Sequence, residues 1–294
     1  MPEPKELLVD IGDISLAVLH WPPRDTAHSN NDDPVLLLHA TGFHARCWHE
    51  VVKHLPGHNV YAADLRFHGN SGALGPVDWG VMAQDIVKLV QALDLNSVLG
   101  VGHSIGGHLL ARVAAQHSAL FKHLVLVDPV ITSPERYALF REHSAALKIE
   151  DHPVARRKNA WENAQQMQDR FREREPFNSW QPAVLEDYCN YALKPAGADG
   201  LHQLACDPLN EAAVYINQTG NEVILDLLTD INVPVTLLRA PPGDSDVPNF
   251  SHSPTWPEIA RLLPDCTEVF LPDHNHFIPM QDPQLVARHI KAVS

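Results

Sequence analysis

Short apolar runs alternate with helical patterns along this chain, and that alternation limits the folds open to it more than any other feature. Val35–Leu38 has no polar residue, which is typical of a parallel strand covered on both faces. Similar runs occur at Val60–Ala63, Ser97–Val101 and Leu124–Val127. Between the second and third of these runs, Val77–Leu93 places its apolar residues on one helical face. Strand–helix repetition of this kind predicts a parallel sheet with helices on both faces.

The two ends of the chain complete the sheet. Leu7–Ile11 and Ile14–Leu19 read as two antiparallel strands joined by a tight turn. Val235–Leu238 and Glu268–Leu271 resume the strand pattern near the C-terminus, and a closing helix, Pro283–Val293, follows. We therefore predict an α/β fold with a mostly parallel, eight-stranded sheet.

The segment 131–233 has no strand pattern and is rich in helix formers, arginine and aromatic residues. It lies between the sixth and seventh predicted strands. We predict a helical cap (lid) over 131–233, inserted into a core domain formed by 1–130 and 234–294. The aromatic residues either line a substrate pocket or pack the interior of the cap, and these are Trp161, Trp180, Tyr188 and Tyr191.

The charge balance excludes two classes of partner. Thirty-six acidic residues against 22 basic ones give a formal net charge of −14, which repels nucleic acid and anionic membranes. No run approaches the roughly 18 apolar residues of a membrane span. The segment Met1–Glu6 lacks the basic and apolar parts of a secretory signal, so we expect a cytoplasmic protein.

Neither the cysteines nor the histidines are spaced like metal ligands. The four cysteines are widely separated, and we expect free thiols. The 19 histidines include no H-E-x-x-H pattern. We expect neither a metal nor another cofactor.

The strongest chemical signal is the pentapeptide Gly102-His103-Ser104-Ile105-Gly106. It follows an apolar strand and opens a helix, which is the setting that a G-x-S-x-G nucleophile needs. The glycines permit a sharp turn, and the helix N-terminus favours developing negative charge. We therefore predict that Ser104 is a nucleophile.

A serine hydroxyl needs a base that takes its proton. The best candidate is His276, which lies just past the last predicted strand on a loop that returns to the carboxyl edge of the sheet. His274 is the alternative. We favour His276 because Phe277 and the helix that follows would anchor it.

Four ordered landmarks make the chain resemble the α/β-hydrolase superfamily from end to end. They are the turn His39–Phe43, the stretch Asp64–Ser71 (close to D-x-R-G-H-G-x-S), the Ser104 motif and the His276 segment. The Asp64–Ser71 stretch is expected to be a structural turn.

The resemblance implies an oxyanion hole made by the backbone N–H groups of Ile105 and Thr41. Ala40 stands where the family usually has glycine. If that glycine has a positive φ, alanine would strain the turn.

The resemblance also implies an acid that orients His276. The family usually places it after the seventh strand, where Asp244 has the expected spacing and Asp246 follows two residues later. Some relatives use a site after the sixth strand, which here is Asp128. We favour Asp244 and keep Asp246 and Asp128 as alternatives.

These residues suit attack on a carbonyl carbon, and the expected activity is hydrolysis of small-molecule carboxylic esters through an acyl-enzyme. One alternative is hydrolysis of a C–C bond in a ring-cleavage (meta-cleavage) dienoate. It would need a cationic clamp, for which Arg156, Arg157 and Arg239 are candidates. A second alternative is a hydrolase-like protein that only binds a small molecule.

Overall fold

One sheet of eight strands organises the chain. The computed structural model describes residues 3–24, 33–144, 147–243 and 249–294. The strands of the sheet are β1 (Lys5–Asp10), β2 (Ser15–Trp21), β3 (Val35–Leu38), β4 (Val60–Ala63), β5 (Val98–His103), β6 (Phe121–Val127), β7 (Val235–Arg239) and β8 (Cys266–Phe270). Their spatial order is β1-β2-β4-β3-β5-β6-β7-β8. The β1–β2 and β2–β4 pairs are antiparallel and the other five pairs are parallel, so the predicted sheet is confirmed.

Eleven α-helices are found among the described residues: α1 (His49–Val52), α2 (Trp79–Ala92), α3 (Ile105–Gln116), α4 (Pro134–Ser144), α5 (Ala164–Phe171), α6 (Pro182–Tyr191), α7 (Pro208–Ile216), α8 (Ile224–Leu227), α9 (Ile259–Leu262), α10 (Ile278–Gln281) and α11 (Pro283–Val293). Short 3₁₀ helices occupy Ala45–Trp48, Ser118–Leu120, Ile149–Asp151, Pro153–Arg156, Phe177–Ser179, Asn221–Val223 and Leu228–Asp230. None of the helices in the described ranges is both long and apolar enough to cross a bilayer.

The sheet is buried on both faces. Alternate residues of its central strands point to opposite sides, and helices pack on each side. On β3, Leu36 and Leu38 pack in the cluster that contains α2 and α3. Val35 and Leu37 pack in the opposite cluster, which contains α1 and α11. This two-sided burial explains why the β3 sequence is continuously apolar.

Two parts of the sequence form structure that the patterns did not indicate. The sequence after β3 predicts one helix over 46–55, and the structure divides this stretch into the 3₁₀ turn Ala45–Trp48 and the short helix α1. The segment 131–233 contains two strands of two residues, Ala160–Trp161 and His202–Gln203, which pair with each other. Strands of this length carry too few residues to show an alternating pattern.

The segment 131–233 contacts the loops at one edge of the sheet through an aromatic cluster. The rings of Trp180 and Phe277 have centroids 5.5 Å apart, and those of Phe43 and Tyr188 are separated by 5.4 Å. Phe43 follows β3 and Phe277 follows β8, so the cluster lies at the carboxyl edge of the sheet. Trp161 is buried in the same cluster. Three of the four aromatic residues singled out in this segment therefore pack in a core.

The landmark Asp64–Ser71 is held by a buried ion pair. The guanidinium of Arg66 donates two hydrogen bonds to the carboxylate of Asp85 on α2, at 2.7 and 2.6 Å. The carboxylate of Asp64 accepts hydrogen bonds from the backbone N–H groups of Ala45 and Asn70. These contacts tie the loop after β4 to the neighbouring loop and helix, which is a structural role.

Candidate active site

Ser104 occupies the junction between β5 and α3. Its backbone has φ 58° and ψ −119°, a region that non-glycine residues rarely adopt. The strained turn ends at the N-terminus of α3, whose first residue is Ile105. Such a turn places the serine oxygen above the carboxyl edge of the sheet.

Close packing explains why glycine stands on each side of Ser104. A Cβ atom at Gly102 would lie 2.4 Å from the carbonyl of Gly106. A Cβ atom at Gly106 would lie 2.4 Å from the backbone oxygen of Leu38 on β3. Both distances are far below van der Waals contact, so the first turn of α3 can pack against β5 and β3 only if these two residues lack side chains.

His276 is the imidazole that the structure brings to Ser104. Its Nε2 lies 3.0 Å from the Ser104 Oγ. The backbone of His276 is fixed on both sides, because its N–H donates to the carbonyl oxygen of Ser251 and its own carbonyl accepts from Nε2 of His103. His274, the alternative base, has no hydrogen bond to Ser104 among the contacts of the described residues.

The Nδ1 atom of His276 lies 2.6 Å from Oδ2 of Asp128, which directly follows β6. Asp128 is completely buried, and its Oδ1 accepts hydrogen bonds from the Ala240 N–H and the Ser253 hydroxyl. Asp244 and Asp246 lie outside the described residues. Of the three acids considered, Asp128 is thus the one that the described structure places against His276.

The sheet topology explains the position of Asp128. Strand β6 lies between β5, which carries Ser104, and β7, which ends just before Ala240. The backbone N–H of Asp128 donates to Leu238 of β7, at 2.7 Å. The carboxylate therefore stands at the carboxyl edge, one strand away from the serine.

These contacts define where the protons lie. A carboxylate only accepts hydrogen bonds, so Nδ1 of His276 carries a hydrogen that it donates to Asp128. In the neutral ring, Nε2 is then the basic atom and accepts the hydroxyl hydrogen of Ser104. This arrangement can remove a proton from the serine as the oxygen attacks a carbon atom.

The two predicted oxyanion donors are backbone N–H groups, and that of Ile105 directly follows the nucleophile in the chain. Within the described ranges, neither Ile105 nor Thr41 has an acceptor for its N–H. Ile105 begins a helix of 12 residues, so its N–H adds to the positive end of the helix dipole. The role of these two N–H groups as oxyanion donors remains a prediction.

The strain expected at Ala40 does not occur. The positive φ in the His39–Phe43 turn falls at Gly42, with φ 81°, and Ala40 has a negative φ. The turn is held by His39, whose Nδ1 donates to the Ala40 carbonyl and whose Nε2 accepts from the N–H of Leu65. Alanine is tolerated because the left-handed residue is two positions further on.

Two residues next to the triad were missed by the sequence reasoning. His103 holds the backbone of His276, and Ser253 donates to Asp128 at 2.7 Å. His103 stands inside the G-x-S-x-G motif, and its position there was a signal that it lies near the site. Nothing in the sequence near Ser253 indicated its contact, because 125 residues separate it from Asp128.

Part of the segment 131–233 reaches the turn after β3. The Arg157 guanidinium donates to the Glu211 carboxylate at 2.5 Å and to the Tyr188 hydroxyl at 3.2 Å. A Cβ atom at Gly42 would lie 2.3 Å from Oε1 of Glu211, so this carboxylate contacts the turn that carries Thr41. Burial raises the pKa of Glu211, and the neighbouring Arg157 opposes that shift. Arg157 and Glu211 thus form an ion pair beside this turn.

One group of possible metal ligands occurs in the parts of the chain that the structure describes. His49, Glu50 and Asp187 have ligand atoms within 4.8 Å of one another. His49 pairs with Asp187 at 3.1 Å, and Glu50 pairs with Lys53 at 2.5 Å. These pairs satisfy the three side chains without an ion, and none of them contacts Ser104.

Burial of histidines predicts a strong loss of stability in acid. Burial lowers the pKa of five fully buried imidazoles, to about 4 in three of them and well below the usual value in the other two: His44, His68 and His108, then His39 and His103. Unfolding restores an ordinary pKa near 6.5, so the unfolded chain binds more protons below that pH. Stability is therefore full above about pH 6.5 and falls as the pH drops towards 4.

Two buried carboxyls, Asp64 and Glu211, act in the opposite direction. The pKa of Asp64 is raised to about 6, so its proton is bound more tightly in the folded state and offsets part of the loss below that pH. We expect a net uptake of roughly three protons on unfolding near pH 6. Urea unfolding followed by circular dichroism from pH 7.5 to 5 measures it. His68→Gln should lower the slope of the unfolding free energy against pH by about one proton. His143→Gln, at an exposed position, should leave this slope unchanged. An unfolding free energy that does not change with pH would contradict the prediction.

Comparison with known proteins assigns the family. The family model described as Alpha/beta hydrolase family matches residues 35–289. The chain is 36% identical over 100 residues to lipase LipV of Mycobacterium tuberculosis, a match that covers 33% of this chain and 37% of that protein. It is 38% identical over 95 residues to N-formylmaleamate deformylase of Pseudomonas putida, which covers 31% and 35%. These matches span only about a third of each curated relative's length.

Solved structures agree over nearly the whole chain. E-2-(acetamidomethylene)succinate hydrolase has a TM-score of 0.73 at 19% identity and covers 98% of both chains. A thioesterase domain from the curacin biosynthetic pathway has a TM-score of 0.74 at 20% identity and covers 99% of this chain and 100% of that one. At such identities the likeness establishes the fold alone. The family match over residues 35–289 shows that the chain belongs to the α/β hydrolase family.

Proposed function

We propose that the protein is a serine esterase that cleaves carboxylic esters of small molecules. Ser104 attacks the ester carbonyl, His276 takes the hydroxyl proton, and Asp128 orients the imidazole and stabilises its protonated form. The observation that carries the proposal is the continuous contact from Ser104 Oγ to His276, at 3.0 Å, and from His276 to Asp128, at 2.6 Å.

The remaining steps use the same groups. The N–H groups of Ile105 and Thr41 would stabilise the oxyanion of the tetrahedral intermediate. The imidazolium of His276 returns its proton to the leaving alcohol, which leaves an acyl group on Ser104. Water, activated by the same imidazole, then releases the acid and regenerates the serine. The segment 131–233 serves in this proposal as the cap that encloses the substrate.

The three arginines considered for binding a substrate carboxylate are all paired with acidic side chains, which favours neutral esters over dienoates that carry a carboxylate. Arg157 pairs with Glu211, Arg239 pairs with Glu268 at 2.6 Å, and Arg156 pairs with Asp151 at 3.3 Å. A substrate carboxylate would have to replace an acidic partner that is already present, and Glu211 is itself buried. Relatives described as lipase and as putative esterase/lipase support the ester reading.

The proposal is tested by a panel of p-nitrophenyl acetate, butyrate and octanoate beside a meta-cleavage dienoate. We expect the highest kcat/KM on one of the neutral esters, with a rapid first release of p-nitrophenol as the acyl-enzyme forms. A mono-p-nitrophenyl ester of a dicarboxylic acid, which carries a free carboxylate, should show no rise in kcat/KM, because Arg157 is already paired with Glu211. Preference for the dienoate by orders of magnitude would make the protein a C–C hydrolase. Saturable binding without turnover of any of these compounds would make it a binding protein.

A further inference from the structure

The loop after β7 contacts both partners of the nucleophile. The Ser253 hydroxyl lies 2.7 Å from Oδ1 of Asp128, and the Ser251 carbonyl accepts the backbone N–H of His276 at 2.9 Å. Asp128 and Ser253 are both buried. A side chain from this loop thus acts on the acid that follows β6.

The direction of the Ser253 hydrogen bond is fixed by its surroundings. The backbone N–H of Thr255 donates to the Ser253 Oγ at 3.2 Å, and an ionised carboxylate can only accept. The hydroxyl hydrogen therefore points at Asp128. Because the N–H of Ala240 donates to the same Oδ1, at 3.0 Å, that oxygen has two donors and only Oδ2 is left for His276.

We propose that Ser253 is a positioning residue of the active site, which locks the rotation of the Asp128 carboxylate so that Oδ2 faces Nδ1 of His276. The proposal rests on the assignment of Asp128 as the triad acid. Bonds from N–H and O–H donors also stabilise the ionised form of a carboxylate buried away from water. Ser253 touches no reacting atom and acts only through Asp128.

The same loop supplies a matched control. Thr255 is two residues away and likewise buried, and its hydroxyl donates to the carbonyl of Pro129 at 2.7 Å. Thr255→Val removes a buried hydroxyl from this loop without removing a donor from Asp128. It should lower the thermal midpoint while kcat stays near the wild-type value.

Ser253→Ala should lower kcat on p-nitrophenyl butyrate by about tenfold to a hundredfold, the range for losing a hydrogen bond to a charged group. KM should be nearly unchanged, because the buried hydroxyl is directed at Asp128. Ser253→Thr retains the hydroxyl and should recover most of the lost kcat. Circular dichroism and thermal melting establish that each variant is folded.

A double-mutant cycle separates positioning from a general structural role. If Ser253 acts only through Asp128, then Ser253→Ala should cost no further kcat in an Asp128→Asn background. Additive losses, or an equal loss of kcat in Thr255→Val, would overturn the proposal. So would a wild-type kcat in folded Ser253→Ala while Asp128→Asn is inactive. If Asp128→Asn itself retains full activity, the assignment of the acid fails, and that result is distinct from failure at Ser253 alone.

Discussion

Replacing Ser104 with alanine should lower kcat/KM on the best ester of the panel by about 10⁶-fold, the loss expected when the nucleophile of a serine–histidine–acid triad is removed. The variant should fold normally, because the Ser104 side chain has one hydrogen bond to the described residues, the one to Nε2 of His276. The backbone contacts of this residue, including the bond from its N–H to the Val127 carbonyl, do not depend on the side chain. The measurement is steady-state hydrolysis in parallel with circular dichroism.

Covalent labelling gives this prediction a second readout. A fluorophosphonate should attach one phosphonyl group, with loss of fluoride, to the wild-type chain and none to Ser104→Ala, as measured by mass spectrometry. The exposed Ser179 hydroxyl, which bonds to Asn275 near the site, provides the control: Ser179→Ala should label and turn over like wild type. Because nucleophile and base act together, Ser104→Ala combined with His276→Ala should be no worse than Ser104→Ala alone. Equal activity in wild type and Ser104→Ala would contradict the esterase proposal.

The fold could be predicted from the sequence because its determinants are local. Residues Val35–Leu38 and Val60–Ala63 form strands with the predicted limits, since four consecutive buried residues leave little choice of position. The final helix also has its predicted limits, Pro283–Val293, because proline favours the first turn and Asp282 caps it. A helix such as 46–55 was harder to predict, since contacts with other parts of the chain decide whether its first turn is α or 3₁₀.

The candidate site, like the fold, has one part that the sequence predicts and one part that it does not. Ser104 and His276 each follow a strand directly or within a short loop, so the sheet itself places them at one edge, and the structure brings them within hydrogen-bond distance. The acid depends on which of two neighbouring loops reaches Nδ1 of His276. That choice is made by contacts such as the Asp128–Ser253 bond, which join residues distant in sequence. Propensity and spacing carry no information about such contacts, and the favoured Asp244 reflected the family's usual position.

Replacing Asp128 with asparagine should lower kcat by about 10⁴-fold, the size of loss seen when a triad acid becomes an amide. The structure indicates how the amide will orient. Oδ1 of Asp128 accepts from the Ala240 N–H and the Ser253 hydroxyl, so in Asp128→Asn the amide oxygen should remain with those two donors. The NH₂ group would then face Nδ1 of His276, which must become an acceptor. The hydrogen moves to Nε2, and the ring can no longer take the proton of Ser104.

The matched controls are Asp244→Asn and Asp246→Asn, which change the two other carboxylates considered for this role. Both variants should keep kcat near the wild-type value, since the Nδ1 atom of His276 already has a carboxylate partner at 2.6 Å. All three variants differ from wild type by the same isosteric change, so charge and volume effects are matched. Loss of kcat in Asp244→Asn with retention in Asp128→Asn would move the acid to the loop after β7. It would also remove the basis for assigning a positioning role to Ser253.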